Sequence, residues 1–316
     1  SPVSKYFTPY SESLLKTNLA WVPFPDPDLP KITIVILSLS KFGRLIISNI
    51  TWQQFTIQKE GETPRILVKR KQGWEVNGFN ASKKEIADFF GALKRLEIGT
   101  VVSKNAENYE HFGFGPQEVY LLTFFTKKGT TTFLVGSIGI DPNSFYIRKR
   151  DPPMDAIGVF TVSGGVVREK IVQDISRWRD RVIVDITPEI VERIEVASVP
   201  QPFVLTKAGN GTWSVKMSGT TTVLDMNATN QFFTAFHPLE ASAFLDASEE
   251  KKFKATANTG TIRIYGKNQQ IIASLLLFKN DSTWWVSREG VMTHYVVPDY
   301  ALDSVFFGKD ALIKRD

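Results

Sequence analysis

The chain has 316 residues, of which 42% are hydrophobic and 22% charged, and 38 Lys and Arg against 33 Asp and Glu leave a net charge of +5. This composition is typical of a globular protein and excludes disordered, collagen-like and coiled-coil chains, while the weak net charge gives no indication of nucleic-acid binding. The absence of cysteine excludes disulfides, thiolate metal sites and cysteine nucleophiles, and the three histidines form no close-spaced metal-binding pair.

Residues 1–30 are rich in proline, with six of the 16 prolines of the chain. Such a segment favours an extended path, so we predict an N-terminal arm that acts as a tether, with a packed arm as the alternative. Because the chain begins at Ser1 rather than at methionine, we expect that an upstream segment such as a membrane anchor has been removed. The longest apolar stretch, residues 32–39, falls short of the about 20 residues of a membrane-spanning helix and predicts a buried strand.

From about residue 50 the chain repeats one pattern. In each half, two short alternating segments precede a Trp-x-Val segment, and Trp213 follows Trp74 by 139 residues. Period-2 alternation with turn residues between the segments predicts β-hairpins. The alternating segments are residues 55–57 and 66–68 in the first half and residues 194–196 and 203–205 in the second.

An amphipathic helix is predicted after each hairpin. Ser82 and Glu85 fit a capping box, in which hydroxyl and carboxylate both bind free amides at the helix start. The apolar residues that follow recur at helical spacing, and their counterparts come 143 positions later. This shift requires four extra residues, which we place in a loop near residues 216–223 because loops tolerate insertions. The apolar positions are Ile86, Phe89, Phe90, Leu93 and Leu96 in the first half and Phe232, Phe233, Phe236 and Leu239 in the second.

Further strands follow in both halves, and a closing helical stretch is predicted at residues 166–178. The basic-Asp ending at Arg179 and Asp180 recurs at Lys309 and Asp310. The predicted strands are residues 119–125, 131–135, 145–147 and 158–162, matched by residues 261–265, 271–278, 284–286 and 294–297.

These matched features predict a tandem repeat of two similar α+β domains. Each domain is expected to hold a mainly antiparallel β-sheet, because the connections between strands are short, with one major and one closing helix. We place the first repeat at residues 31–184 and the second at residues 185–316.

The motifs in this order resemble the domain-of-unknown-function 4340 (DUF4340) family, over residues 50–195 well and more loosely beyond. The resemblance implies a domain behind one N-terminal membrane helix, on the periplasmic side, as an accessory to gliding-motility-type ABC transporter components. The resemblance carries over no catalytic residue. The second copy departs from the pattern, because Ser287 stands at the position that matches Arg148. The motifs are Trp74, Glu75 and Val76, residues 109–113, Val135 and Gly136, Tyr146, Ile147 and Arg148, and residues 178–181.

No segment of the sequence predicts catalysis, a cofactor site or a metal site, since the phosphate-loop, nucleophile-elbow and metal-ligand patterns are missing. The Gly-Phe-Gly at residues 113–115 begins like a dinucleotide loop, but Pro116 breaks the pattern. Residues 163–165 precede a helix and are interpreted as a cap rather than an anion site. His294 is interpreted as a packed or surface histidine.

Two basic clusters end strands of the first repeat. If these strand ends meet, they form a patch for anionic lipid headgroups or an acidic partner, and a solvated hairpin rim is the alternative. The clusters are Lys69, Arg70 and Lys71, and Arg148, Lys149 and Arg150.

Two tryptophan-containing segments have structural interpretations. Trp284 and Trp285 are adjacent on a strand and face opposite sides, so at most one ring is exposed as a carbohydrate platform, and core packing is favoured. The structural motif Trp178, Arg179, Asp180 and Arg181 is predicted to pin the closing helix, with Trp178 buried and Asp180 paired to an arginine.

The sequence therefore favours a non-enzymatic extracytoplasmic binding protein that works with ABC transporter subunits, with β-augmentation as a contact mode. The alternative is a glycan- or lipid-binding module of the cell envelope. A hydrolase with a nonlocal carboxylate pair has no support in any motif.

Overall fold

A computed structural model describes residues 53–126, 129–150, 158–197, 202–255 and 260–306. The predicted arm at residues 1–30 and the second basic-Asp ending at Lys309 lie outside these ranges. The chain divides into two compact units, Ser1–Asp180 and Arg181–Asp316, four residues before the predicted boundary. None of the described helices is long and apolar enough to cross a membrane.

The first unit is built on a nine-stranded sheet in which every described pairing is antiparallel. The strand order is β4-β3-β2-β1-β6-β7-β8-β9-β5, so β5 and β4 are the edges. The strands are β1 (Gln54–Lys59), β2 (Arg65–Arg70), β3 (Gly73–Val76), β4 (Phe79–Asn80), β5 (Glu97–Ser103), β6 (Tyr120–Thr126), β7 (Gly129–Ile138), β8 (Ser144–Lys149) and β9 (Val159–Ser163). The helices are α1 (Lys83–Lys94), α2 (Gly165–Val172) and α3 (Ile175–Trp178), with 3₁₀ turns at Ala106–Asn108 and Glu110–Phe112.

The second unit has an antiparallel nine-stranded sheet with the matching order β14-β13-β12-β11-β17-β18-β19-β20-β16. Its strands are β11 (Arg193–Ala197), β12 (Phe203–Lys207), β13 (Trp213–Met217), β14 (Thr220–Val223), β16 (Ala243–Phe244), β17 (Gly260–Tyr265), β18 (Ile271–Asn280), β19 (Thr283–Arg288) and β20 (His294–Pro298). A separate ladder joins β10 (Val182–Val184) to β15 (Leu239–Glu240). The helices are α4 (Met226–Thr234), α5 (Ala247–Ala255) and α6 (Asp303–Phe306), with 3₁₀ turns at Lys267–Gln269 and Asp299–Ala301. Two mainly antiparallel sheets with few helices are consistent with the predicted α+β class.

The first core forms between one face of the sheet and the apolar side of α1. Phe89 stacks on Phe55 with ring centres 5.2 Å apart, and Trp178 meets Phe89 edge-on, also at 5.2 Å. All three side chains are fully buried. The predicted apolar positions of α1 are therefore the ones that hold the helix on the sheet.

The capping box at the start of α1 is only half formed. The Ser82 hydroxyl accepts a hydrogen bond from the Glu85 amide at 3.3 Å, as predicted. The Ser82 amide instead donates to the Trp178 carbonyl at 2.8 Å, and the Glu85 carboxylate accepts from Lys170 and Gln173. The prediction for Glu85 was wrong because partners from α2 and the segment after it, distant in sequence, compete for its side chain.

The four extra residues of the second repeat lengthen a hairpin and do not form a loop. Between the tryptophan and the turn, β13 is two residues longer than β3, and β14 is two residues longer than β4. Both turns keep two residues with positive φ, Asn77 and Gly78 in one and Ser218 and Gly219 in the other. Adding two residues to each strand preserves which side chains face the core, which explains why the insertion is tolerated.

Residues 181–184, predicted to end the first repeat, form part of the second unit. β10 pairs with β15, and the Ala241 amide donates to the Arg181 carbonyl at 2.9 Å. Ile183 and Val184 are buried in the core of the second unit. Apolar burial of this short strand explains why the unit begins at Arg181.

Candidate functional site

The resemblance motifs occupy both faces of the first sheet: Trp74, Val135 and Trp178 are buried in the core beside α1, and the Tyr109 segment meets Tyr146 and Arg148 on the opposite face. The guanidinium carbon of Arg148 lies 3.8 Å from the ring centre of Tyr109, and the rings of Phe112 and Tyr146 are 4.8 Å apart. Arg148 and Tyr146 are buried under this contact. The segment around Tyr109 thus covers the outer face of the sheet, and cation–π and aromatic packing hold it there.

Two motif glycines allow this segment to approach β7 closely. A Cβ atom on Gly113 would lie 2.4 Å from the Ser137 nitrogen, and one on Gly136 would lie 2.2 Å from the Phe112 carbonyl oxygen. Gly113 also has a φ of 76°, which disfavours other residues. Phe114, the centre of the Gly-Phe-Gly at residues 113–115, is buried in the same cluster. The motif is thus part of a packed layer on the sheet.

The two basic clusters lie at the same end of the first sheet but on strands that are not neighbours. Lys69 and Arg70 end β2 and Arg148 and Lys149 end β8, and three strands separate β2 from β8. Four steps of about 4.8 Å place them roughly 19 Å apart.

The members of these clusters differ in exposure. Lys69 is buried, which lowers its pKa by desolvation, and Arg148 is buried against Tyr109. Arg70 forms an ion pair with Glu75 at 3.0 Å. The remaining members are exposed or half-buried: Lys71, Lys149 and Arg150.

The structural motif at residues 178–181 closes the first unit by backbone contacts. Trp178 is fully buried, which confirms that part of the prediction. The Asp180 amide donates to the Asn80 carbonyl at 2.8 Å, and Arg179 stacks on Phe79 with 3.8 Å between the guanidinium carbon and the ring centre. Arg181 is the first residue of the second unit, where its carbonyl accepts a hydrogen bond from the Ala241 amide.

The other groups considered as ligand-binding candidates are hydrogen-bonded or buried within the protein. The amides of Gly164 and Gly165 both donate to the Asn143 carbonyl, at 2.8 and 2.7 Å, so neither points to an anion. Trp284 and Trp285 are both buried, which leaves no ring of this pair for a carbohydrate platform.

His294 lies beside α5. Its Nδ1 is 3.4 Å from a Glu250 carboxylate oxygen, and its ring centre is 5.2 Å from that of Phe253. Within the described ranges, no group of three or more His, Cys, Asp or Glu side chains is arranged to hold a metal.

β5, the longest edge strand of the described sheets, was not among the strands predicted from the sequence. It pairs with β9, and no charged residue lies between Glu97 and Lys104. Val101 and Val102 are 43% and 39% exposed, which is unusual for adjacent apolar residues on a strand. The β-branched residues at 100–102 were the signal that could have identified this strand.

Close contacts with β9 hold β5 in place. A Cβ atom on Gly99 would lie 2.4 Å from the Thr161 hydroxyl oxygen, and one on Gly158 would lie 2.3 Å from the Ser103 carbonyl oxygen. The counterpart in the second unit, β16, has only two residues and is soon followed by α5. A long edge at this position is therefore not required by the shared fold.

Comparison with known families identifies one match. The family model described as "Domain of unknown function (DUF4340)" matches residues 74–258, which is more than half of the chain and extends into both units. No curated protein and no solved structure matches the chain. Because the match covers more than half of the chain, including Trp74 and the segment around Tyr109, the chain belongs to the DUF4340 family.

Proposed function

We propose that this chain is a non-enzymatic binding domain on the periplasmic side of a membrane, where it serves as an accessory of an ABC-type, gliding-motility-like transport complex. Its family resemblance supports this context. The proposed membrane attachment is an N-terminal helix connected through the arm at residues 1–30. The binding role rests on one observation, the exposed and uncharged edge of β5.

Edge strands present rows of main-chain donors and acceptors, and proteins commonly protect them with short length or with charged side chains. β5 has seven residues and lacks charges in its interior, and its register with β9 shifts between Ile98 and Val101 and between Val101 and Ser103. The other edges of the two described sheets, β4, β14 and β16, have two, four and two residues. β5 is thus the edge best suited to receive an extended segment of a partner subunit by β-augmentation.

The glycan-binding alternative loses its main support, because both Trp284 and Trp285 are buried. The lipid-binding alternative retains Lys71, Lys149 and Arg150, which are at least partly accessible.

A cross-linking pull-down from solubilised membranes of the source organism tests the proposal. The full chain is expected to recover transporter subunits, and the double variant Thr100→Lys, Val102→Lys is expected to lose them, because lysine on an edge strand disfavours strand addition. Both side chains are exposed, so the sheet should persist.

The matched control places the same charges on the edge of the second unit. Thr221→Lys with Val223→Lys changes two exposed residues of β14 and should leave recovery unchanged. Recovery of no transporter subunit by the wild-type chain, or equal losses in both variants, would reject the proposed role of β5.

A further inference from the structure

The exposed side of α1 carries four cations, Lys83, Lys84, Lys94 and Arg95, which we call the α1 cation face. Lys84 forms an ion pair with Asp88 at 2.8 Å. That hydrogen bond raises the pKa of Lys84 and lowers the pKa of Asp88. Two carboxylates of α1 face these cations, since Glu85 also acts on Lys84, and Asp88 is also acted on by Lys170 and Arg95. The face therefore retains an excess of positive charge.

The packing of the helix does not require these cations. The matching helix of the second unit, α4, buries Phe232 and Phe233 as α1 buries Phe89 and Phe90. The sequence of α4, MNATNQFFT, contains no charged residue. Because both helices pack through the same pair of phenylalanines, the four cations are not needed to hold α1 on the sheet.

The helix dipole also does not explain the positions of two of these four cations. The last turn of a helix favours cations, which suits Lys94 and the C-cap residue Arg95. The first turn carries positive partial charge and disfavours cations, yet Lys83 and Lys84 are its first two residues. These two lysines are placed against the preference of their own helix.

Lys94 and Arg95 of the α1 cation face lie next in sequence to the β5 edge, whereas Lys83 and Lys84 lie at the other end of α1, which follows β4. Arg95 ends α1, a single buried residue follows, and β5 begins at Glu97. Lys104 is exposed directly after the strand. The uncharged part of the edge strand, residues 98–103, therefore follows Arg95 and the exposed Glu97 and is followed by Lys104.

We propose that the α1 cation face and the β5 edge together bind one polypeptide segment of the partner, extended and uncharged in its centre and acidic at its ends. This inference rests on the proposed binding role and adds the chemistry of the partner. A polypeptide is favoured over a lipid surface because a strand edge offers main-chain hydrogen bonds that a polypeptide complements. Between the two cation pairs, the exposed positions of α1 include Ala87 and no large apolar side chain that would enter a bilayer.

The test uses the purified 316-residue chain and a fluorescein-labelled peptide of alternating valine and threonine with three glutamates at each end. Fluorescence anisotropy is expected to show binding that weakens as salt is added. The same peptide with glutamine in place of glutamate should bind at least about tenfold more weakly.

Charge-neutralising variants locate the site. Replacing the α1 cation face with glutamines is expected to weaken binding at least about tenfold, because the long-range attraction for the acidic ends is removed. The matched control removes four exposed cations from the second unit and should change the affinity less than about twofold. The site variant is Lys83→Gln, Lys84→Gln, Lys94→Gln and Arg95→Gln, and the control is Lys216→Gln, Lys251→Gln, Arg263→Gln and Lys267→Gln.

Several results would overturn the inference. Equal affinity for the glutamate and glutamine peptides, or equal losses in the two variants, would reject the α1 cation face. Binding of phosphatidylglycerol vesicles that depends on α1 while the glutamate peptide fails to bind would assign the face to a membrane instead. Circular dichroism checks folding, and the Lys83→Gln, Lys84→Gln pair replaces the site variant if that variant unfolds.

The outcome is separable from that of the proposed function. Peptide binding together with an empty pull-down rejects the transport partner and retains the acidic ligand. Recovery of transporter subunits without peptide binding retains the accessory role and rejects the acidic ligand.

Discussion

Two glycines of the first unit have opposite requirements for space. A Cβ atom on Gly136 would lie 2.2 Å from the Phe112 carbonyl oxygen, whereas one on Gly91, inside α1, would meet no atom closer than the Arg95 guanidinium at 3.5 Å. The first glycine allows the outer layer to reach the sheet. The second has no such role in the described packing and weakens the helix, since glycine is a poor helix former.

We therefore expect Gly136→Ala to lower the free energy of unfolding by about 1–3 kcal/mol, because backbone must move to admit the methyl group. Gly91→Ala should raise it by about 0.5–1 kcal/mol through helix propensity. Urea unfolding of both variants measures the two changes. A stabilising Gly136→Ala would contradict the close approach at β7.

Asp174 is expected to make the first unit sensitive to acid. The Ser176 amide donates to its carboxylate at 2.7 Å, and this hydrogen bond at the start of α3 lowers the pKa of Asp174. Because the folded pKa lies below the unfolded value near 3.9, its contribution is present above that value and is lost as the pH falls through the folded pKa.

Urea midpoints of the wild-type chain and Asp174→Asn at pH 6 and pH 3 test this expectation. Asparagine retains the cap but does not titrate, so the variant should lose less stability between the two pH values. An equal loss in both proteins would show that other groups account for the acid sensitivity.

At the scale of elements, the hairpin of β13 and β14 shows how an insertion preserves a fold. Deleting residues 216, 217, 220 and 221 removes two residues from each strand and leaves Val215 opposite Thr222, a pairing already present. We expect this deletion variant to fold, with a loss of about 1.5–3 kcal/mol for the buried Met217 side chain.

Deleting residues 216 and 217 alone is the control. It shortens one strand and offsets the turn from the facing strand, so a larger loss is expected. Thermal unfolding followed by far-UV circular dichroism measures both variants. A smaller loss from the one-sided deletion would show that the paired register is not what the insertion preserves.

Elements with strong local signals were predictable, and those that depend on distant partners were not. The apolar face of α1 was predictable because Ile86 and Leu93 lie three or four residues from Phe89 and Phe90, which is helical spacing. β5 was missed because most of its residues are exposed, so it lacks the alternation of apolar and polar residues that burial on one face imposes. Glu85 was misassigned because its partner Lys170 is 85 residues away.

At the scale of the whole molecule, charge position matters more than total charge. The net charge of +5 is weak, but Lys71 and Arg150 are at least partly accessible. We expect weak binding to anionic vesicles that decreases with salt, and a decrease on Lys71→Glu with Arg150→Glu. Vesicle sedimentation at two salt concentrations measures the binding of both proteins.

Two further variants define this effect. Lys216→Glu with Lys267→Glu changes exposed lysines of the second unit and serves as the control for equal charge. Arg148→Glu should act through stability, because Arg148 is buried against Tyr109. Unchanged vesicle binding after Lys71→Glu with Arg150→Glu would remove the lipid alternative from this part of the sheet.

By itself, the sequence determined the duplicated pattern, the α1 and α4 packing faces and most strands, because burial on one face imposes a period that is local along the chain. Only the tertiary structure decided that Arg148 is covered by Tyr109, that the basic clusters are separated by three strands, and that β5 is the long edge. These properties depend on strand order and on which segment covers each sheet face. Strand order joins residues far apart in sequence, so no local period encodes it.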